Sequence, residues 1–113
     1  MKPSQIEATV RQLHEEGYKV NVHHYRQYEH MMNGSWRRGS RTAISTKVLR
    51  AWGTAYRPAP RGGRVEVVIT PPKGETFSCE SECSERDGFQ GRVGTAIALG
   101  RAIDILRSQG QWH

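Results

Sequence analysis

The spacing of apolar residues changes from strand-like to helical in the C-terminal half, and this change constrains the fold more than any other feature. Residues 64–70 are rich in Val and Ile, residues 71–74 have the composition of a turn, and residues 75–84 alternate between two faces. Over residues 91–108 the spacing becomes helical, with an apolar stripe of Val93, Ala96, Ile97, Gly100, Ile103 and Leu106. We therefore predict an antiparallel hairpin followed by a helix that packs on it.

The N-terminal part predicts a short helix and then a strand. Ser4 and Glu7 have the spacing of a capping box, and apolar residues then recur at helical spacing until Gly17 ends the helix. Residues 18–25 alternate between apolar and polar side chains, so we expect a strand there that extends to Tyr28.

The middle of the chain has the least regular pattern. Asn33-Gly34 is a strong turn signal, so we expect residues 26–45 to form a hairpin whose second arm is basic. Residues 42–52 fit either a strand or a short helix. Residues 57–63 are rich in Pro and Gly, which predicts a mobile loop.

These patterns together predict a single α+β domain over residues 1–113. It would consist of an N-terminal helix, an antiparallel sheet of three or four strands and a C-terminal helix packed on the sheet, with a basic, mobile insert at about residues 30–62. Gly94, Ala98 and Ala102 lie four residues apart on the last helix, so another backbone can approach that face closely. It would meet either the chain's own sheet or a second copy, and we expect a homo-oligomer to form through it.

Length and composition bear on localisation. No window of the 113 residues has the roughly 18–20 apolar residues that a membrane-spanning helix needs, and the first residues lack the apolar stretch of a signal peptide. We therefore expect a soluble, cytoplasmic protein that does not bind a membrane.

The chain carries no recognisable catalytic or cofactor motif. Cys79 and Cys83, with His23 or His24 beside them, come nearest to a metal site. An extended strand would hold the two sulfurs roughly 13 Å apart, so we interpret both cysteines as small buried residues. Asp87 is interpreted as the N-terminal cap of the last helix. Phosphate loops, dinucleotide fingerprints and Ser-His-Asp arrangements are missing, so we expect no enzymatic activity, although a general acid–base role for a histidine stays open.

Positive charge is concentrated in one segment. Between Arg26 and Arg64 there are nine basic residues, eight of them Arg, and a single acid, Glu29, whereas the rest of the chain has eight basic and ten acidic residues. The planar guanidinium group presents a fork of donors that matches phosphate and carboxylate oxygens. We therefore expect an anionic partner.

Aromatic residues are interleaved with these arginines. Rings stack on bases while guanidinium groups neutralise phosphate, so the combination suits a nucleotide or single-stranded nucleic acid. The candidate ligand-binding residues are Arg26, Trp36, Arg37, Arg38, Arg41, Phe89, Arg92 and Arg101. The alternative is a solvated loop that its Trp residues anchor to the core.

Within residues 74–102, a strand ends in Cys and is followed by Asp, Phe and a helix with Gly and Ala-x-x-Arg-Ala, a pattern that resembles a family of small phage-encoded accessory proteins. The matching residues are Cys83, Asp87, Phe89, Gly94, Ala98, Arg101 and Ala102. The resemblance implies a phage origin and a counter-defence role like that of Thoeris anti-defence proteins, which sequester cyclic nucleotide signals in the host cytoplasm. It also implies that Phe89 stacks on a base and that Arg101 faces phosphate.

The order of helix, three strands and helix is also similar to a double-stranded RNA-binding domain, although Gly91-Arg92-Val93 stands where such domains carry adjacent lysines. We expect non-enzymatic binding and sequestration of a phosphate-bearing, nucleotide-type ligand. The alternatives are a nucleic-acid-binding accessory protein and a phage inhibitor that binds an acidic surface of a host protein.

Overall fold

The computed structural model describes residues 1–39 and 44–112, which form an α+β fold. The helices among these residues are α1 (Ile6–Glu15), α2 (Thr46–Ala51) and α3 (Gly91–Ser108), and a 3-10 turn, Pro3–Gln5, precedes α1. The strands are β1 (Lys19–Arg26), β2 (Tyr28–Met32), β3 (Ser35–Arg38), β4 (Ile44–Ser45), β5 (Tyr56–Pro58), β6 (Arg61–Thr70) and β7 (Phe77–Gly88). The predicted α+β fold class is confirmed. Along the chain an N-terminal helix is followed by antiparallel sheets and by a C-terminal helix that packs on the sheet.

The described strands form two sheets, one of order β4-β1-β6-β7 and one of order β3-β2-β5. The β2–β3 hairpin turns at Asn33 and Gly34, whose φ angles of 51° and 80° lie in the left-handed region. Asn and Gly tolerate this region better than other residues, which is why their sequence predicts the turn. A hairpin with a basic arm, β3, is therefore confirmed, but it spans residues 28–38 rather than 26–45, and β4 pairs with β1 instead.

The chain divides into two compact units. Unit 1 comprises Met1–His23, Val65–Ser81 and Gly91–His113, and unit 2 comprises His24–Arg64 and Glu82–Gln90. None of the described helices is long and apolar enough to cross a membrane.

The core of unit 1 lies between α1, α3 and the strands of that unit. Leu13, Val67, Ile69, Leu99 and Leu106 are almost completely buried there. Burying an aliphatic side chain of this size contributes about 1.5–3 kcal/mol, so these residues hold the helices on the sheet.

The predicted apolar stripe of α3 is buried in part, since Ala96, Ile103 and Leu106 belong to the core. Val93 and Ile97, assigned to the buried stripe, are 42% and 41% exposed, whereas Ala98 and Ala102 are fully buried. The reason is the close approach of α3 to β6, since a Cβ on Gly94 would lie 2.7 Å from a methyl group of Val65. The small-residue face expected to form a dimer therefore packs within the chain itself, with Gly94 against β6 and with Ala98 and Ala102 in the core.

Two predicted helix caps are wrong. Ser4 lies inside the 3-10 turn, and the backbone N–H of Lys2 donates to Oε1 of Gln5 at 2.9 Å. Pro3 fixes the backbone in a helical conformation earlier than the predicted start. Asp87 is exposed and belongs to β7, so it does not cap α3, which begins at Gly91.

The loop predicted over residues 57–63 is also wrong, because these residues belong largely to β5 and β6. Pro58 pairs with Tyr28 in a strand at the edge of its sheet, where a missing backbone donor is tolerated. Gly63 has a φ of 118°, and a Cβ there would lie 2.6 Å from the carbonyl oxygen of Tyr25. Glycine at this position therefore permits a close strand contact rather than a free loop.

The ambiguous residues 44–52 resolve into β4 and α2, and residues 42–43 lie outside the described residues.

Candidate anion-binding site

The structure divides the predicted ligand-binding residues between the two units. Those in unit 2 are Arg26, Trp36, Arg37, Arg38 and Phe89, those in unit 1 are Arg92 and Arg101, and Arg41 lies outside the described residues.

Both arginines of α3 are directed at acceptors within unit 1. Nη1 of Arg92 lies 2.7 Å from Oε1 of Glu7, and this contact lowers the pKa of Glu7 and raises that of Arg92. Nη1 of Arg101 donates to the backbone carbonyl of Glu80. Phe89 and Arg101, which the resemblance assigns to one ligand site, belong to different units.

Arg26 and Phe89 do meet, in unit 2. The guanidinium carbon of Arg26 lies 4.7 Å from the centroid of the Phe89 ring, and its Nη2 donates to the carbonyl of Ala59 at 2.8 Å. The imidazole of His24 packs edge-on against the same ring, with the centroids 6.1 Å apart. Arg26 is thus held by a π face and a neutral carbonyl.

The charge of Arg26 lacks an anionic partner among the described residues. Its Nε is buried there without a hydrogen-bond partner, and none of the described carboxylates forms an ion pair with it. Burial lowers the pKa of Arg26. Burial, followed by the charge of Arg26, also lowers the pKa of His24.

A pocket of about 390 Å³ in unit 2 is lined in part by Arg26. We call it the arginine pocket, and its lining consists of Arg26, Thr46, Leu49, Arg50, Gly53, Thr54, Tyr56 and Pro58. The lining residues include two guanidinium groups, two hydroxyl groups and one phenol ring, but no acid. The volume falls within the range of small-molecule sites, roughly 300–1,000 Å³.

Helix α2 places three of these residues on one side of the pocket. Thr46, Leu49 and Arg50 are spaced three and four positions apart, so they share a helix face. Leu49 is 2% exposed and anchors the helix, while Oγ1 of Thr46 donates to the carbonyl of His24 at 3.2 Å. Gly53 has a φ of 100° just beyond the helix, where glycine favours its termination.

Aromatic packing fixes Tyr56, which contributes a ring to the pocket lining. The ring of Trp52 lies 5.0 Å from that of Tyr56 and 5.6 Å from that of Tyr28. Both contacts are close to edge-on, the arrangement that aromatic quadrupoles favour.

A second basic surface lies on one face of the β3-β2-β5 sheet. We call it the Trp36 face, and it consists of Glu29, Met31, Trp36, Arg38 and Arg57, which the strand register places on the same side. Nε of Arg57 lies 2.9 Å from Oε1 of Glu29, and its guanidinium carbon lies 4.2 Å from the Trp36 centroid. The register places Arg37 on the opposite side of the sheet, across from His30.

The pattern of charges and rings in the sequence makes Arg26 and Trp36 candidates, and the structure adds Arg50, Tyr56 and Arg57 to the candidate residues. Each belongs to the same basic and aromatic segment, which was the available signal. Which of them share a pocket or a face depends on strand register and on the position of α2. Neither is encoded in local spacing.

The cysteines and histidines form no metal site in the described part of the chain, where no three His, Cys, Asp or Glu side chains are grouped to hold an ion. Cys79 is buried, as expected, and Cys83 is partly exposed.

No protein-family model matches the chain, and neither the curated proteins nor the solved structures include a significant match.

Proposed function

We propose that the protein is a non-enzymatic binder of a phosphate-bearing, nucleotide-type ligand, and that the arginine pocket is its binding site. The observation that carries this proposal is the partly buried guanidinium of Arg26, which has no described anionic partner beside a pocket free of acids. Removing a cation from water is unfavourable unless an anion or hydrogen-bond acceptors compensate for it. A bound phosphate group would supply both.

The other lining residues fit the same phosphate group and the remainder of such a ligand. Arg50 adds a second guanidinium, and the hydroxyl groups of Thr46 and Thr54 can accept or donate hydrogen bonds. Tyr56 provides an aromatic surface for a base or sugar. The combination favours a nucleotide over inorganic phosphate alone.

Binding without chemical conversion would lower the free concentration of the ligand. Sequestration of this kind agrees with the counter-defence role that the phage-protein resemblance implies, which would act in the host cytoplasm. A protein that binds no nucleotide but co-purifies with a host protein would fit the inhibitor alternative instead.

Calorimetric titration with AMP, cyclic AMP and cyclic di-AMP tests the proposal. We expect at least one of these probes to bind, and Arg50→Ala to weaken it by about 10- to 150-fold, because a hydrogen bond to a charged group contributes about 1.5–3 kcal/mol. Arg11→Ala is the matched control, since Arg11 is also an exposed helical arginine but lies in unit 1. Equal affinities of the two variants, or no binding of any probe, would contradict the proposal.

A further inference from the structure

We propose that the Trp36 face is a second binding surface, which takes single-stranded nucleic acid. One base would stack on Trp36, and the adjacent phosphates would meet Arg38 and Arg57. This surface shares no residue with the arginine pocket, so it goes beyond the function proposed above.

The strand register builds this face in two rows. Arg38, Glu29 and Arg57 lie directly across from one another on β3, β2 and β5, and Met31 lies across from Trp36 in the next row. Met31 is 44% exposed and Trp36 is half-buried, so the apolar row is partly open to solvent. A partly exposed ring beside two cations is a combination that can bind an unpaired base together with its phosphates.

The charges on the face leave donors available. Glu29 pairs with Arg57 through Nε, and neither Nη atom of Arg57 has a described hydrogen-bond partner. Arg38 is exposed and forms no ion pair with a described residue. One carboxylate therefore lies between two guanidinium groups, and the row keeps a net positive charge.

Preorganisation of Arg57 further supports this role. The Glu29 contact and the Trp36 ring fix its guanidinium group, so less side-chain entropy is lost when it meets a phosphate.

A single strand can splay a base onto Trp36, whereas a duplex keeps its bases stacked and offers mainly its phosphates. We therefore expect a preference for single strands.

Fluorescence anisotropy with fluorescein-labelled oligo-dT and oligo-U of twelve nucleotides, and with a duplex of the same length, tests this inference. We expect Trp36→Ala to weaken single-strand binding by about 5- to 150-fold, since stacking on an aromatic ring contributes about 1–3 kcal/mol per base. Trp36→Phe should keep most of the affinity. Arg50→Ala should leave it nearly unchanged, which separates this surface from the arginine pocket.

Salt dependence supplies a second readout that needs no change in the core. Arg38→Ala should reduce the slope of log affinity against log salt by about 0.7, the contribution of one phosphate contact on a single strand. Arg11→Ala, on an exposed part of α1, should change neither affinity nor slope appreciably. If Arg38→Ala and Trp36→Ala behave like Arg11→Ala, or if the duplex binds equally well without Trp36, the inference is wrong.

Discussion

At the scale of single residues, burial lowers the pKa of His24 in unit 2. His24 packs edge-on against Phe89 close to Arg26, and both burial and that cation favour its neutral form. Its folded pKa therefore lies below the ordinary value of 6.5. The unfolded chain binds this proton more readily than the folded one, so stability should depend on pH.

The sign of that dependence gives a prediction. The contribution of His24 to the free energy of unfolding is fully present above pH 6.5 and is lost as the pH falls through its lower folded pKa. We expect His24→Gln to lose less stability than the wild type between pH 7.5 and pH 5. Urea unfolding of both proteins at the two pH values measures the difference. Equal losses would show that His24 does not carry this linkage.

The two cysteines should differ in reactivity. Cys79 is buried and its pKa is raised, mainly by burial, whereas Cys83 is partly exposed. Because the thiolate is the nucleophile, we expect Cys83 to react first with a thiol reagent and Cys79 to react only slowly in the folded protein. Cys79→Ser and Cys83→Ser, titrated separately, assign the two phases. Equally fast phases would contradict the burial of Cys79.

Helix α3 shows at the scale of an element why its buried face coincides only in part with its apolar stripe. Gly94, Ala98 and Ala102 are small enough to let the helix approach β6 closely, and Ala98 and Ala102 are buried while Val93 and Ile97 stay exposed. A local pattern of hydrophobicity cannot predict this close approach, because the approach depends on the shape of the opposing sheet.

Two glycines of this helix give a matched test. A Cβ at Gly94 would lie 2.7 Å from the buried side chain of Val65, whereas one at Gly100 would make only ordinary contacts, at 3.5 Å or more. We expect Gly94→Ala to destabilise the protein by about 1–3 kcal/mol through overpacking. Gly100→Ala should be neutral or stabilising by up to about 1 kcal/mol, because alanine favours helix. Thermal and urea unfolding measure both, and equal effects would argue against the close approach of α3 to β6.

The elements that the sequence predicts best are those fixed by local spacing. Helix α3 has the predicted bounds, and the β6–β7 and β2–β3 hairpins follow from their strand patterns and from Asn33-Gly34. Strand β5 and the start of β6 were missed because Pro58 and Gly63 are loop residues by composition. They are tolerated at a sheet edge and at a close strand contact, features that only the tertiary structure provides.

At the scale of the whole molecule, the sequence predicts the segment that carries the candidate sites but not their composition. Arg26, Trp36 and Arg38 keep candidate roles on the two surfaces of unit 2, and Phe89 supports Arg26. Arg92 instead pairs with Glu7 in unit 1. Charge alone cannot separate these cases, since an arginine pairs with whichever acceptor the fold places beside it.

A double-mutant cycle of Arg26→Lys and Arg50→Ala, read by calorimetric titration of the nucleotide probe that binds, tests most directly whether both guanidinium groups hold one phosphate. Lysine keeps the charge at residue 26 but loses the fork of donors. If the two residues share the ligand, their effects on the binding free energy should be coupled by about 0.5–3 kcal/mol. Effects that add within about 0.3–0.5 kcal/mol would contradict a common phosphate site in the arginine pocket.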